Sequence, residues 1–379
     1  MALIPHTGVG RTILQQLEIE LPENFWPLIA SAAGTAWPPG EAGEARKFIR
    51  QCVAEAALPL LFATGGPAEV NAELGAWQAL DAANRQRTAS LTRAIAGLPS
   101  RIGDDFILLK GSDVSHRLYP APELRPMGDI DVLVPIESMP LVTERLVGNG
   151  ARIRYWRLTH FSAANPDRAF DLGDLTLEVH HSIVHRASAR IDYGSIWRSR
   201  VRTSVAGVEL SRLADADALL AAALNLAKDN LAGPLIRFLD LWLMLKGNPC
   251  LASEAAARAR EWRVEDALYT VLRIVSALFP ELGPLIAPRR RLDWLVVPRD
   301  GNRTNDVRRI SRATRLWRKF WLLDGFDLPL RYVAALTRAT AYGLWRRAEL
   351  ESASGGHAPV PVQDSPGRLS SNVEGNHRR

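Results

Sequence analysis

The amino-acid sequence predicts an α/β unit, of α+β or mixed α/β type, set between two helical regions. Three observations carry that expectation. The first hundred residues hold Ala-rich stretches with apolar residues at helical spacing, and the helical period returns after Asp215. Between them the chain breaks into short runs of Val, Ile and Leu bounded by turn residues. The corresponding division is 1–100 as a helical N-terminal region, 101–212 as the core, 213–350 as an all-helical C-terminal domain and 351–379 as a tail.

Taken in order, residues 41–63 and 77–98 read as helices, separated by Thr64-Gly65-Gly66-Pro67. Phe106-Ile107-Leu108-Leu109 reads as a strand that ends in Lys110-Gly111-Ser112. Residues 113–119 make two helical turns, which Pro120-Ala121-Pro122 stops. A second strand covers 130–134, and a helix over 141–150 ends with Gly148 and Gly150. Strands are expected over 152–158, 169–172, 175–180 and 201–210. Helices follow at 217–226, 234–245, 253–262, 265–279, 308–323 and 329–350. The stretch 352–379, rich in Ser, Gly, Pro, Asn and His, lacks the apolar surface to offset its ordering entropy and is expected to be disordered.

Composition excludes several classes. With 379 residues, 47% hydrophobic and 23% charged, the chain is globular rather than fibrous or disordered. Cys52 and Cys250 are its only cysteines and lie far apart, so neither a disulfide framework nor a structural zinc site is available, and a reducing cytoplasm fits. No apolar run approaches the ~18 residues of a spanning helix, and the start lacks the pattern of a secretory signal. The net charge of +6 is local: residues 289–347 carry +10 and the rest of the chain −4. Such a segment can meet nucleic acid, phosphates or an anionic membrane surface, although Arg-rich solvated helix faces are common. Trp317, Trp321 and Trp345 interleave with Arg and Leu there, which favours packed helices over an open basic groove.

The chemistry lies in residues 108–134. Asp129 and Asp131 are two apart on a predicted strand, so their side chains share one face. Like charges at that spacing repel unless a cation sits between them, and oxygen ligands select Mg²⁺ above all. Upstream, a strand ending in Gly111-Ser112 and entering a helix offers backbone N–H groups and a hydroxyl to phosphates.

The order Gly-Ser, short helix, Asp-x-Asp on the next strand resembles the signature of the DNA-polymerase-β-like nucleotidyltransferase superfamily. More closely, Leu109-Lys110-Gly111, Tyr119-Pro120, Arg125-Pro126 and Asp129-Ile130-Asp131-Val132-Leu133-Val134 resemble a widespread bacterial family of uncharacterised nucleotidyltransferases. Leu177-Glu178-Val179-His180 fits that family's later acidic residue and histidine. Asn225, Lys228, Arg237 and Asp240 are candidates for the polar residues of its later helices.

The resemblance implies a small mixed sheet flanked by helices, and transfer of a nucleoside monophosphate from an NTP such as ATP to an acceptor, with release of pyrophosphate. In that chemistry Asp129, Asp131 and Glu178 would hold two Mg²⁺ ions, for which Mn²⁺ could substitute. Lys110, Gly111, Ser112 and Arg125 would contact the triphosphate. His180, Lys228, Arg237 and Asp240 would position groups or meet the acceptor. Relatives modify tRNA ends, proteins, antibiotics and small molecules, so the fold does not choose the acceptor. A small molecule or peptide is the favoured expectation; tRNA bound through residues 289–347 and a non-catalytic binding module are the alternatives.

Two further motifs are set aside, and two others are absent. Asp215-Ala216-Asp217 precedes a helix, where acidic residues cap N–H groups rather than bind metal. Gly8-Val9-Gly10 follows no predicted strand, and neither a G-x-S-x-G elbow nor a P-loop occurs.

Overall fold

The computed structural model describes residues 21–154 and 167–285, apart from 187, 230, 232, 249 and 284, together with residue 337. The helices expected at 308–323 and 329–350, the basic segment 289–347 apart from residue 337, and the tail all lie outside the described residues, as does Gly8-Val9-Gly10.

A seven-stranded mixed sheet organises the molecule, in the order β3-β4-β5-β2-β1-β7-β6. Its strands are β1 (Ile107–Leu108), β2 (Ile130–Leu133), β3 (Arg152–Arg154), β4 (Asp167–Leu172), β5 (Leu175–His180), β6 (Val201–Val205) and β7 (Val208–Arg212). The central pairing, β2 with β5, is parallel and sets Ile130 beside Leu177, Asp131 beside Glu178 and Leu133 beside His180. The run expected as one strand at 201–210 is instead the hairpin β6–β7. Ala206 and Gly207 make its turn with φ of +50° and +81°, the left-handed pair that a two-residue hairpin requires.

The helices are α1 (Phe25–Ala33), α2 (Ala42–Ala54), α3 (Leu58–Thr64), α4 (Ala68–Leu74), α5 (Gln78–Ala96), α6 (Leu98–Ile102), α7 (Lys110–Arg117), α8 (Met139–Gly148) and α9 (Tyr193–Ser199). They continue with α10 (Asp215–Lys228), α11 (Leu235–Gly247), α12 (Leu251–Trp262) and α13 (Glu265–Leu278). The single helix expected over 41–63 is split into α2 and α3, with Ala56 at φ +55° between them. Asp215 and Asp217 make no side-chain cap on α10. Asp217 is fully buried, accepting from Arg258 Nε at 2.8 Å and from Ser199 Oγ at 3.1 Å, so it clamps α10 to α12 and α9.

Period-2 alternation divides the sheet's two faces. Ile130 and Val132 of β2, with Leu177 and Val179 of β5, point into a core closed by Leu91 and Ile95 of α5, Leu98 of α6 and Val142 and Leu146 of α8. Leu133 and Ile107 point the other way, into a larger core shared by α1–α4 and α10–α13. Asp131, Glu178 and His180 therefore belong to the second face, beside α7.

Candidate active site

Sheet register brings the site together. Asp131 and Glu178 are paired residues of adjacent parallel strands, and His180 follows Glu178 by two, so all three side chains rise from one face. Their ligand atoms lie within 4.8 Å of one another. Above them β1 runs into α7 through Lys110, which takes a left-handed φ of +48° although it is not glycine. That unfavourable conformation turns the first residue of α7 toward the cluster. Lys110 Nζ donates to Asp131 Oδ1 at 2.6 Å and stands 3.6 Å from Glu178 Oε2 and 3.5 Å from His180 Nε2. His180 Nε2 donates to the same Asp131 oxygen at 2.9 Å, which places a proton on that nitrogen.

The charges act on one another strongly because they are shielded from water. Burial opposes ionisation of Asp131, yet Lys110 and His180 together hold its carboxyl well below the usual range. Asp129, just ahead of β2, is pushed up to about 7 by burial and then by the negative charge of Asp131 and Glu178. Burial and the Lys110 charge work against protonating His180, but its bonds to Asp131 and Glu178 outweigh them and raise its pKa. Lys110 is raised too: burial disfavours the ammonium, and the carboxylates of Asp131, Glu178 and Asp129 more than compensate.

Carboxylates this close need positive charge among them, and the donor set tests whether a divalent ion suits the place. Two carboxylates converge with an imidazole, a third carboxylate is close enough to feel both, and the ammonium of Lys110 already sits among them as a cation would. Oxygen donors of this kind fit Mg²⁺ or Mn²⁺; the imidazole, bonded to Asp131, is better placed to orient that carboxylate.

The sequence pattern of a family described as uncharacterised nucleotidyltransferase matches residues 41–280, more than half of the chain. The chain belongs to this nucleotidyltransferase family. A search of the curated proteins found no match. The mixed seven-stranded sheet with its helices is compatible with a nucleotidyltransferase fold, and the protein is accordingly a transferase. Among the described residues no helix is long and apolar enough to cross a membrane.

Other residues expected to serve this nucleotidyltransferase fall into distinct places. Ser112 is fully buried under the site, and its Oγ accepts the Asp131 N–H at 2.9 Å, so it holds β2 against α7 rather than facing a phosphate. Gly111 packs closely against its neighbours: a Cβ there would be in van der Waals contact with Met127 Cγ at 3.4 Å and Arg125 Nη1 at 3.6 Å. Arg125 spans Asp240 with two nitrogens, its Nη2 lying 2.7 Å from Oδ2, and Tyr119 donates to Asp240 Oδ1 at 2.8 Å. That triangle ties the loop before β2 to α11. Tyr119 received no role from sequence, although Tyr119-Pro120 belongs to the matched pattern; the pairing with Asp240, far along the chain, is visible only in three dimensions. Arg237 pairs with Asp229 at 2.8 Å, and with Asn225 it lines a neighbouring cleft. Lys228 is exposed at the end of α10 and is not part of that lining.

Proposed function

We propose that this nucleotidyltransferase moves a nucleoside monophosphate from an NTP to an acceptor, with Asp129, Asp131 and Glu178 as the carboxylates that hold two Mg²⁺ ions. The observation that carries the proposal is the register of β2 on β5, which stacks Asp131 beside Glu178 on the face that Lys110 closes. Held among those carboxylates, Mg²⁺ would neutralise charge on the triphosphate and polarise the attacking oxygen. His180 keeps Asp131 oriented through its Nε2–H. Lys110, whose ammonium sits among these carboxylates, would be free to meet the phosphates if divalent cations neutralised them instead. The N–H groups that open α7 would favour the same charge if the phosphates lie at its start. The acceptor oxygen attacks the α-phosphorus, the bond to the bridging oxygen breaks, and pyrophosphate leaves with that electron pair. A carboxylate oxygen of the cluster receives the acceptor's proton.

Titration calorimetry with Mn²⁺ and a non-hydrolysable NTP tests this. Wild-type protein is expected to bind the pair, and the double variant Asp129→Asn with Asp131→Asn to lose at least tenfold in affinity while keeping its thermal transition. Unchanged binding by the folded double variant overturns the proposal.

A further inference from the structure

The carboxylate cluster has a cation of its own, and the backbone is built to keep it there. Leu109 N–H donates to the Asp131 carbonyl at 3.0 Å, and Ser112 Oγ accepts the Asp131 N–H at 2.9 Å. Residues on both sides of Lys110 therefore grip the peptide groups of Asp131, and Lys110 between them is held at its φ of +48°. A residue with a Cβ keeps that conformation only where its surroundings impose it. The consequence is an ammonium fixed over the acids.

That ammonium stands where a divalent ion would have to go. Lys110 Nζ lies 2.6 Å from Asp131 Oδ1 and 3.6 Å from Glu178 Oε2. An Mg²⁺ bridging these two oxygens would sit about 2.0–2.1 Å from each, inside the volume that the ammonium fills. Asp131 Oδ1 also accepts from His180 Nε2 at 2.9 Å, so it has no room for a third cation beside the other two donors. Like charges this close repel strongly where water is excluded. Ammonium and ion compete for the carboxylates rather than share them.

The two partners differ in freedom. The Asp131 side chain is 4% exposed and is fixed by strand pairing and by His180, whereas that of Lys110 is 27% exposed, on a flexible four-carbon stem. Neighbouring cations are committed elsewhere, Arg125 to Asp240 and Arg117 to Asp113. Lys110 also meets Asp131 and Glu178 directly but Asp129 only at longer range, so divalent charge would serve an acid that the ammonium does not reach. Leaving the cluster costs the ammonium its ion pairs, and phosphate oxygens replace them better than water does.

We propose that Lys110 is the resident counter-ion of the nucleotide-free site, and that its ammonium must leave Asp131 before a divalent ion can bind there. A triphosphate draws the ammonium away, so ion and nucleotide bind together and the ion alone binds weakly. The inference rests on the cluster being the metal–nucleotide site. Its effect is to keep divalent ions out of the carboxylates until a nucleotide arrives with them.

Mn²⁺ alone, and Mn²⁺ with a non-hydrolysable NTP, are titrated by calorimetry into the full chain as wild type and as Lys110→Met. Wild type is expected to bind Mn²⁺–NTP and, at the same Mn²⁺ concentration, to take up no measurable Mn²⁺ by itself. Lys110→Met, which keeps most of the stem and removes the charge, should bind Mn²⁺ alone at least tenfold more tightly than wild type, a gain that damage to the fold does not produce. Its affinity for Mn²⁺–NTP should not rise in parallel, because the phosphates have lost the ammonium. Adding Asp131→Asn to Lys110→Met should abolish the gain and so locate the ion. Should Lys110→Met lose its thermal transition, Lys110→Gly takes its place, since it removes the same amine and glycine accepts a positive φ without strain. No gain for Mn²⁺ alone, a gain that survives Asp131→Asn, or an equal gain for Mn²⁺–NTP overturns the inference while wild-type binding of Mn²⁺–NTP stands. Failure of wild type to bind Mn²⁺–NTP at all overturns the metal–nucleotide reading, and this inference with it.

Discussion

Single residues carry two expectations. Ser112 looks from sequence like a phosphate ligand, but its buried Oγ takes the N–H of Asp131. Ser112→Ala leaves that buried donor unpaired, which costs about 1–3 kcal/mol. Urea unfolding is expected to show a loss of that order with little change in nucleotide affinity; a phosphate contact would give the reverse pattern. His116 lies one turn further along α7, its Nδ1 against Ser112 O at 3.2 Å and its Nε2 against Thr92 Oγ1 at 3.0 Å. Burial, opposed only in part by the Ser112 carbonyl and Asp113, holds its imidazole below the ordinary 6.5. Below that pH the unfolded chain binds the proton that the folded chain refuses, so stability falls as pH drops from about 6.5 toward the folded pKa. His116→Gln removes this source of loss, and a smaller drop in the urea midpoint between about pH 7.5 and about pH 5.5 is the expected readout. A variant with the same pH dependence as wild type would show that another group controls acid stability. The candidate site was legible in part because Glu-x-His places two side chains on one face and Asp131 pairs with Glu178 across the sheet. Asp129, read as sharing the face of Asp131, instead stands just ahead of β2 and outside the group of converging ligand atoms. What sequence could not show is that Lys110 occupies the middle of the cluster, since this depends on a left-handed φ at a residue that carries no such preference.

Elements were readable where periodicity was strong and neighbours did not interfere. The runs at β2, β4 and β5, and the long helices α5, α10, α11 and α13, stand close to where their patterns place them. The hairpin β6–β7 was not legible, because Val205-Ala206-Gly207-Val208 continues a β-rich run and its turn begins with alanine, a poor signal for positive φ. The short helix α9 was hidden for a related reason. Its start is fixed by Asp192, whose Oδ1 accepts the Ser195 N–H at 3.2 Å, and seven residues show too little periodicity to be recognised. The hairpin turn offers a direct check at this scale. Ala206 is exposed, so a substitution there changes backbone strain without disturbing packing. Asparagine tolerates the left-handed region better than alanine, and Ala206→Asn should stabilise the fold by roughly 0.5–1 kcal/mol. A raised urea midpoint at constant m-value is the expected result, and a lowered midpoint would show that the turn is held by something other than its own dihedrals.

For the molecule as a whole, the decisive feature is that helices from early and late in the sequence close one core. Phe25, Ile29, Phe48, Ile49, Leu58, Leu60 and Leu61 of the first three helices are buried in the same cluster as Leu219, Leu239, Leu268 and Leu272. The joint is polar as well as apolar. Glu55, just past α2, accepts the Leu235 N–H with Oε2 at 2.7 Å and the Ile236 N–H with its carbonyl at 3.3 Å. A carboxylate thereby meets the N-terminus of α11, where its charge also favours the helix dipole. In the opposite sense, Asn24 Nδ2 donates to the carbonyl of Leu278 at the C-terminal end of α13. Since α11 supplies Asp240 to Arg125 ahead of β2, the early helices brace the element that fixes the loop leading into the carboxylates. Each fully buried Leu, Ile or Phe contributes about 1.5–3 kcal/mol, so losing seven of them removes about 10–21 kcal/mol, as much as or more than the roughly 5–15 kcal/mol by which a domain is stable. A chain beginning at residue 101 is therefore expected to show no cooperative thermal transition by circular dichroism or calorimetry, and to lose Mn²⁺–NTP binding with it. Were that fragment to melt cooperatively and still bind, the sheet with α10–α13 would be self-sufficient, and the early helices would be a separate addition to the site.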